Sequence, residues 1–121
     1  MRLKQGDIDN AIWCYEKSLE IYPKYEDGLL NLSDLYADLA IMEANQDSLE
    51  MAEKYYSKAI DLKGDNDNYK YNYALVLGRM GKEDSAIAQI KEILKRNPDY
   101  GPAKKLYQAY QDRQNSTPEG K

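Results

Sequence analysis

The chain has 121 residues, of which 42% are hydrophobic and 31% charged, a composition typical of one folded domain or a short stack of repeated units. It has no histidine and a single cysteine, Cys14, which excludes imidazole-based catalysis, histidine-bound metals, an intramolecular disulfide and a multi-cysteine metal site. The net charge of −4 argues against a general nucleic-acid binder, and no apolar run reaches the roughly 18 residues of a membrane helix. We therefore expect a soluble, cytoplasmic, non-enzymatic protein that has no cofactor and binds neither nucleic acid nor membranes.

The charge is divided unevenly along the chain. Residues 1–66 carry 7 basic and 14 acidic side chains, a net charge of −7, whereas residues 67–121 carry 10 basic and 7 acidic ones, a net charge of +3. Solvated helix faces account for most such gradients, but electrostatic steering of a partner or of a second copy remains open.

The first predicted element is an amphipathic helix from Asp7 to Tyr22, which Pro23 ends. Its packing face carries residues four and three positions apart, namely Ala11, Tyr15 and Ser18. Trp13 lies one residue off this face and is expected to be exposed or covered from outside. Only five residues precede the turn before this helix, so we expect either a fragment of a longer protein or an end that docks on something else.

A helical hairpin is predicted next, from Glu26 to about Ala40 and from Asp47 to Gly64. It is seven residues longer than the hairpin that follows, which is close to two helical turns. We expect each of its helices to gain about one turn and the hairpin to protrude, with its tip at residues 45–47. Asp47 and Glu50 are expected to form a capping pair at the start of the second helix.

A second complete hairpin is predicted from Asp67 to Met80 and from Gly81 to Pro98, and one more helix from about Gly101 to Gln114. The outer face of this last helix is polar and includes Gln108, Gln111 and Asp112. We expect it to be a solubilising cap, followed by a disordered tail over residues 115–121.

Three windows of the sequence superpose without gaps: residues 6–23, 47–64 and 81–98. Alanine stands at the same place in all three, as Ala11, Ala52 and Ala86. The windows begin 41 and 34 residues apart. When the first helices of the two hairpins are aligned at their N-termini, Asn31 matches Asn72.

The 34-residue spacing, the AI-x-x-Y-x-K-S-L-E-I-x-P run that ends at Pro23 and the asparagines of the first helices resemble the tetratricopeptide repeat family. The resemblance implies an all-α fold, a solenoid of stacked antiparallel helix hairpins. Its units would be a partial repeat at 1–25, an extended repeat at 26–66, a third repeat at 67–100 and a capping helix at 101–114.

The resemblance also implies a groove, lined by the first helix of each unit, that takes an extended peptide or a helix of a partner protein. Asparagines grip a peptide backbone in this family, because a carboxamide both donates and accepts hydrogen bonds, and Asn31 and Asn72 are the candidates here. The other outward-facing candidates at helical spacing are Leu30, Asp34, Asp38, Tyr71, Leu75, Arg79 and Lys105.

The candidate groove residues indicate the chemistry of the ligand. The carboxylates of Asp34 and Asp38 would repel an acidic tail, so we expect a neutral or basic segment. Tyr71 and Leu75 are candidates for an apolar seat, although an aromatic residue on a repeat helix packs in the core more often.

The chain has twelve tyrosines and no phenylalanine, which suggests stacking on nucleic acid bases as one role for them. Most of them fall on helix faces that pack between units, and we expect a core role for Tyr15, Tyr36, Tyr56 and Tyr73.

Three functions remain open at this point. The favoured one is a non-catalytic scaffold that binds a partner protein, and the second is a substrate-recruiting module of a larger enzyme. The third is weak head-to-tail self-association, in which Leu106, Tyr107 and Tyr110 of one copy would cover Ile12 and Tyr15 of the next.

Overall fold

The computed structural model describes residues 5–116, which form six α-helices and no strand. The helices are α1 (Gln5–Ile21), α2 (Glu26–Asn45), α3 (Leu49–Leu62), α4 (Asp67–Arg79), α5 (Glu83–Arg96) and α6 (Gly101–Ser116). The predicted all-α architecture is confirmed: α2 with α3 and α4 with α5 form antiparallel hairpins, α1 packs on α2, and α6 packs on α5. None of the helices in the described part of the chain combines the length and the apolar character needed to cross a membrane.

The second helices of the hairpins bury one face, as their sequence pattern predicts. In α3, Ala52, Tyr56 and Ala59 are buried, and in α5 the corresponding residues are Ala86, Ile90 and Ile93. Ala52 and Ala86 have no exposed surface, because a small side chain there lets the neighbouring helix approach closely. These faces supply much of the two hydrophobic clusters, and Tyr73 packs against both of them.

Tyrosines fill the layers between the helices. Tyr36 and Tyr56 are buried and Tyr15 and Tyr73 half-buried, which confirms the predicted core role. The ring centroids of Tyr56 and Tyr73 lie 6.4 Å apart, and those of Tyr36 and Tyr55 lie 6.0 Å apart. Both spacings fall in the range of favourable aromatic pairs.

The turns at the tips of the two hairpins have the same form. Asp47 and Gly81 both adopt left-handed backbone, with φ of 61° and 81°. The predicted capping pair of Asp47 and Glu50 is wrong, since the N-cap of α3 is Ser48, which makes no side-chain cap hydrogen bond. The Asp47 carboxylate instead accepts a hydrogen bond from Arg79 of the next unit.

The extra length of the first hairpin lies entirely in α2. This helix has 20 residues against 13 in α4, whereas α3 and α5 have 14 each. The expectation that both helices of the hairpin gain a turn is therefore wrong.

Contacts between α2 and α4 place the additional turns at the start of α2 and not at the tip. The Tyr69 hydroxyl donates to the Asp34 carboxylate, and at the other end of α4 Arg79 Nη1 donates to the carbonyl oxygen of Ala44 at 3.3 Å. Both pairs are 35 residues apart, close to the 34-residue period and not to the 41-residue spacing. Helix α4 therefore runs beside residues 33–45 of α2, and residues 26–32 extend past its N-terminus. We call residues 26–32 the α2 overhang.

This register corrects the alignment of the two first helices. Counting 34 residues, the counterpart of Asn72 is Asp38 and the counterpart of Leu75 is Ile41. Ala40 and Ala74 then coincide, and neither has any exposed surface. Asn31 belongs to the α2 overhang, and the predicted equivalence of Asn31 with Asn72 is wrong.

Helix α6 closes the array on the side of α5. Ala103 and Tyr110 are buried in the second hydrophobic cluster, and Leu106 and Tyr107 pack against it. The predicted head-to-tail contact through Leu106, Tyr107 and Tyr110 therefore loses its basis, because these side chains already pack within their own chain. The helix runs to Ser116, two residues beyond the predicted end, and the rest of the predicted tail lies outside the described residues.

At the other end of the array, Trp13 on α1 is 60% exposed, in agreement with its position off the packing face. The Lys17 ammonium lies 5.7 Å from the Trp13 ring centroid, within the range of a cation–π contact. The predicted start at residue 1 of the partial repeat falls outside the described residues.

Candidate peptide-binding groove

The surface that α2, α4 and α6 share, here called the first-helix face, contains two cavities. The first lies between α2 and α4 and has a volume of about 460 Å³. It is lined by Ile41, Ala44, Asn45, Tyr56, Asn72, Leu75, Val76 and Arg79. The second lies between α4 and α6, has a volume of about 500 Å³, and is lined by Tyr71, Gly101, Pro102, Lys105, Leu106 and Ala109. Both volumes fall within the range of small-ligand and side-chain pockets.

Five of the predicted site residues line these cavities. Asn72, Leu75 and Arg79 lie in the cavity between α2 and α4, and Tyr71 and Lys105 lie in the cavity between α4 and α6. The remaining four all lie on α2 and line neither cavity, namely Leu30, Asn31, Asp34 and Asp38.

Asn72 is half-buried, and no hydrogen bond within residues 5–116 engages its carboxamide. Leu75, one turn further along α4, is 38% exposed in the same cavity. A polar group able to donate and accept thus lies beside an exposed apolar side chain. This combination can hold a peptide backbone and one of its side chains together.

Two of the predicted ligand-binding side chains are engaged within the protein. The Asp34 carboxylate accepts the hydrogen bond of Tyr69, and Arg79 is bound to Asp47 and to the carbonyl of Ala44. Burial and the hydrogen bond to Asp34 together raise the pKa of Tyr69 to about 12. Asp34 and Arg79 therefore fasten α4 to the preceding hairpin.

Asp38 has a different environment from Asp34. Burial, followed by repulsion from Asp34, raises the pKa of the Asp38 carboxyl. No hydrogen bond or ion pair within the described residues occupies the Asp38 carboxylate, so its charge is uncompensated. A cationic group placed near Asp38 would relieve that repulsion.

Sequence reasoning missed the α2 wall of the first cavity, which consists of Ile41, Ala44 and Asn45. Ile41 and Asn45 are the 34-residue counterparts of Leu75 and Arg79, which were predicted. Applying the 34-residue period to α2, in place of alignment at its N-terminus, finds both of them. Tyr56 of α3 also reaches this cavity, although its side chain is almost wholly buried.

Among the described residues, no group of three or more histidine, cysteine, aspartate or glutamate side chains is placed to hold a metal ion. Asp67 begins α4, and its carboxylate lies 3.6 Å from Arg96. The side chain of Asn66 caps α4 by accepting a hydrogen bond from the backbone of Tyr69 at 3.0 Å.

The stacked hairpins, the 34-residue register and the shared first-helix face define an α-solenoid built from helical repeats. The sequence profile of the tetratricopeptide repeat matches residues 2–25, 27–66 and 68–100. The chain belongs to the tetratricopeptide repeat family, and repeats of this kind generally mediate contacts between proteins.

Comparison with solved structures supports the same fold. A crystal structure of MamA superposes with a TM-score of 0.66 over 99% of this chain and 90% of that one, at 19% sequence identity. At this level of identity the similarity concerns the fold alone. Among curated protein sequences, none matches this chain at a significant level.

Proposed function

We propose that this protein is a non-catalytic interaction module and that its first-helix face binds an extended peptide or a helix of a partner protein. The observation that carries the proposal is the unoccupied Asn72 carboxamide beside the exposed side chain of Leu75, in the cavity between α2 and α4. Membership of the tetratricopeptide repeat family supports a role in protein binding.

The proposed ligand is neutral or basic and has at least one apolar residue. Asp38 and the more exposed Asp27 and Asp34 make the α2 side of the face acidic, which favours a cationic group. Leu30 and Ile41, both exposed on α2, offer apolar contacts at either end of this acidic stretch. Tyr71 and Lys105 would border the far end of the ligand in the second cavity.

Asn31 has a secondary place in this proposal. Its carboxamide is exposed and engaged by no hydrogen bond within residues 5–116, but it lies on the α2 overhang, away from the cavity of Asn72. A ligand long enough to pass along α2 would reach both carboxamides, whereas a short one would reach Asn72 alone.

The test is selection of peptides from a random displayed library against the wild-type protein, followed by titration of the selected peptides against variants. Asn72→Ala is expected to weaken binding about fivefold to twelvefold, the equivalent of one lost hydrogen bond. Asn31→Ala is the matched control for a short peptide, because it removes the same group outside the cavity. Equal affinity of Asn72→Ala and wild type for every selected peptide would refute the assignment of this site.

A further inference from the structure

A furrow with a volume of about 620 Å³ lies on the other side of α2, between α1 and α3. Its floor consists of Leu32 and Tyr36, which are 2% and 4% exposed. These residues lie roughly opposite Asp34 and Ile41 around the axis of α2, as the helical period of 3.6 residues requires. The furrow is therefore separate from the first-helix face.

The walls of the furrow combine leucine with carboxylates. On α1, Leu19 is flanked by Glu16 and Glu20, and on α3, Leu62 stands beside Asp61. Three carboxylates thus surround an apolar floor.

The charges at the rim are only partly neutralised. Glu16 accepts a hydrogen bond from the Tyr36 hydroxyl at 3.3 Å, and Glu20 forms an ion pair with Lys17 at 3.3 Å in which both side chains are at least half exposed. Exposed pairs of this kind are weak. Asp61 has no hydrogen bond or ion pair within residues 5–116.

The single cation of the furrow is already used. The Lys58 ammonium lies 5.3 Å from the centroid of the Tyr36 ring, within cation–π distance. It neutralises one of the three carboxylates formally and leaves a net charge of −2 for the eight lining residues.

The same place in the next repeat has a different chemistry. Moving the furrow residues by one repeat replaces Leu62 with Arg96, Glu20 with Asp61 and Tyr36 with Lys70. The full set of counterparts is Ser57, Ile60, Asp61, Asn66, Lys70, Glu92, Lys95 and Arg96, which has a net charge of +1. An acidic furrow with an apolar floor is thus particular to α1, α2 and α3 and does not follow from the repeat pattern.

We propose that the furrow between α1 and α3 is a second binding site, which takes a segment of a partner protein in which an apolar side chain is flanked by lysine or arginine. The apolar side chain would cover Leu32 and Tyr36 on the floor. The flanking cations would face Glu16, Glu20 and Asp61, and the net charge of −7 over residues 1–66 adds long-range attraction.

Charge complementarity selects this occupant over two others. An acidic segment would meet three carboxylates, and a purely apolar one would leave the charge of Asp61 without a partner. The protein would then hold one partner on the first-helix face and another on the opposite side of α2.

The experiment uses a fluorescent amphipathic peptide of leucine and lysine, with a leucine–glutamate peptide of the same pattern as the control ligand. Binding is measured by anisotropy, and the site is located by amide chemical-shift changes in heteronuclear NMR spectra. We expect the lysine peptide to bind and to perturb the second half of α1 and of α3.

Paired substitutions separate a local site from overall charge. Glu20→Gln with Asp61→Asn is expected to weaken binding about tenfold, the equivalent of 1.4 kcal/mol. Glu92→Gln with Asp99→Asn removes the same number of charges from exposed positions outside the furrow and is expected to leave binding nearly unchanged. Leu62→Arg introduces the residue that the third repeat carries at this position and is expected to abolish binding while the circular dichroism spectrum stays that of the wild type.

Three results would overturn the proposal. The first is equal weakening by the two charge pairs, which would show attraction by overall charge alone. The second is binding that Leu62→Arg leaves intact in a folded protein. The third is chemical-shift changes confined to α2, α4 and α6, which would assign the peptide to the first-helix face.

Discussion

Asp47 and Gly81 stand 34 residues apart and share a left-handed backbone conformation, with φ of 61° and 81°. Each follows the first helix of its hairpin and reverses the chain towards the second. An aspartate adopts this conformation less easily than a glycine, but here its carboxylate is also bound by Arg79 of the following unit. The two residues fix the register from which the repeats are counted.

The left-handed conformation of Gly81 leads to a prediction. Gly81→Ala is expected to destabilise the fold by about 1–2 kcal/mol, because a Cβ is unfavourable at positive φ. Gly101→Ala at the start of α6, where no atom lies within 4 Å of an added Cβ, is the matched control and is expected to be neutral or slightly stabilising. Urea denaturation followed by circular dichroism measures both, and equal stabilities of the two variants would contradict the argument.

A second prediction concerns the contact of Gly78 with Tyr110. A Cβ at Gly78 would overlap the Tyr110 hydroxyl, whereas the Tyr110 ring carbon Cζ would be 3.4 Å away. Gly78→Ala is therefore expected to destabilise the protein by about 1–3 kcal/mol, the usual cost of overpacking. Adding Tyr110→Phe removes the overlapping oxygen and is expected to restore stability, since alanine is the better helix former. Thermal unfolding of the four proteins gives the coupling, and strictly additive effects would show that the two residues do not interact.

A third prediction tests the fastening of α4 to α2 by Tyr69 and Asp34. Tyr69→Phe removes a hydrogen bond to a carboxylate and is expected to cost about 1–2 kcal/mol. In a double-mutant cycle with Asp34→Ala, most of this cost should disappear, because the acceptor is then already absent. Tyr107→Phe removes a hydroxyl that makes no hydrogen bond within the described residues and should change stability by less than about 0.5 kcal/mol. A similar loss from Tyr69→Phe whether or not Asp34 is present would contradict the assignment.

A fourth prediction follows from the tyrosines between the helices. Burial raises the pKa of Tyr36, Tyr56 and Tyr69 to about 12, with added contributions from the nearby carboxylates Glu16, Asp38 and Asp34. In the unfolded chain these phenols ionise near their ordinary pKa of about 10. The unfolded state therefore loses protons first, so that stability is fully present below about pH 10 and falls between about pH 10 and 12.

Urea midpoints at several pH values, with tyrosinate absorbance recorded in parallel, measure this alkaline loss of stability. Tyr56→Phe is the informative variant, because the Tyr56 hydroxyl makes no hydrogen bond within the described part of the chain. It should change stability little at neutral pH and make the decline above pH 10 less steep. An unchanged slope in this variant would show that Tyr56 titrates normally.

The sequence predicted the helices of the array and their packing faces, because Ala52, Tyr56 and their counterparts recur at helical spacing. It could not determine the register of α2 against α4. Ser33 and Ala40 are both small and fully buried, and they are seven residues apart, close to two turns. Both alignments therefore put the same face of α2 inward, and only the contacts of Tyr69 and Arg79 distinguish them.

The same ambiguity decided which site residues could be found. On α4, Asn72 and Leu75 were recognised because the register of that helix was correct, whereas Ile41 and Asn45 on α2 were missed. Inward engagement of Asp34 and Arg79 was also not predictable, since outward spacing on a helix does not reveal whether a neighbouring unit supplies a partner.

The α2 overhang has a consequence for how this array can vary. Because the hairpin turn sets the register, residues added before residue 33 leave every contact of the following units in place. Length at the open end of a first helix is thus uncoupled from the stacking period. A solenoid of this design can change the outline of one edge by whole turns, and acquire a furrow floor such as Leu32, while the rest of the array keeps its geometry.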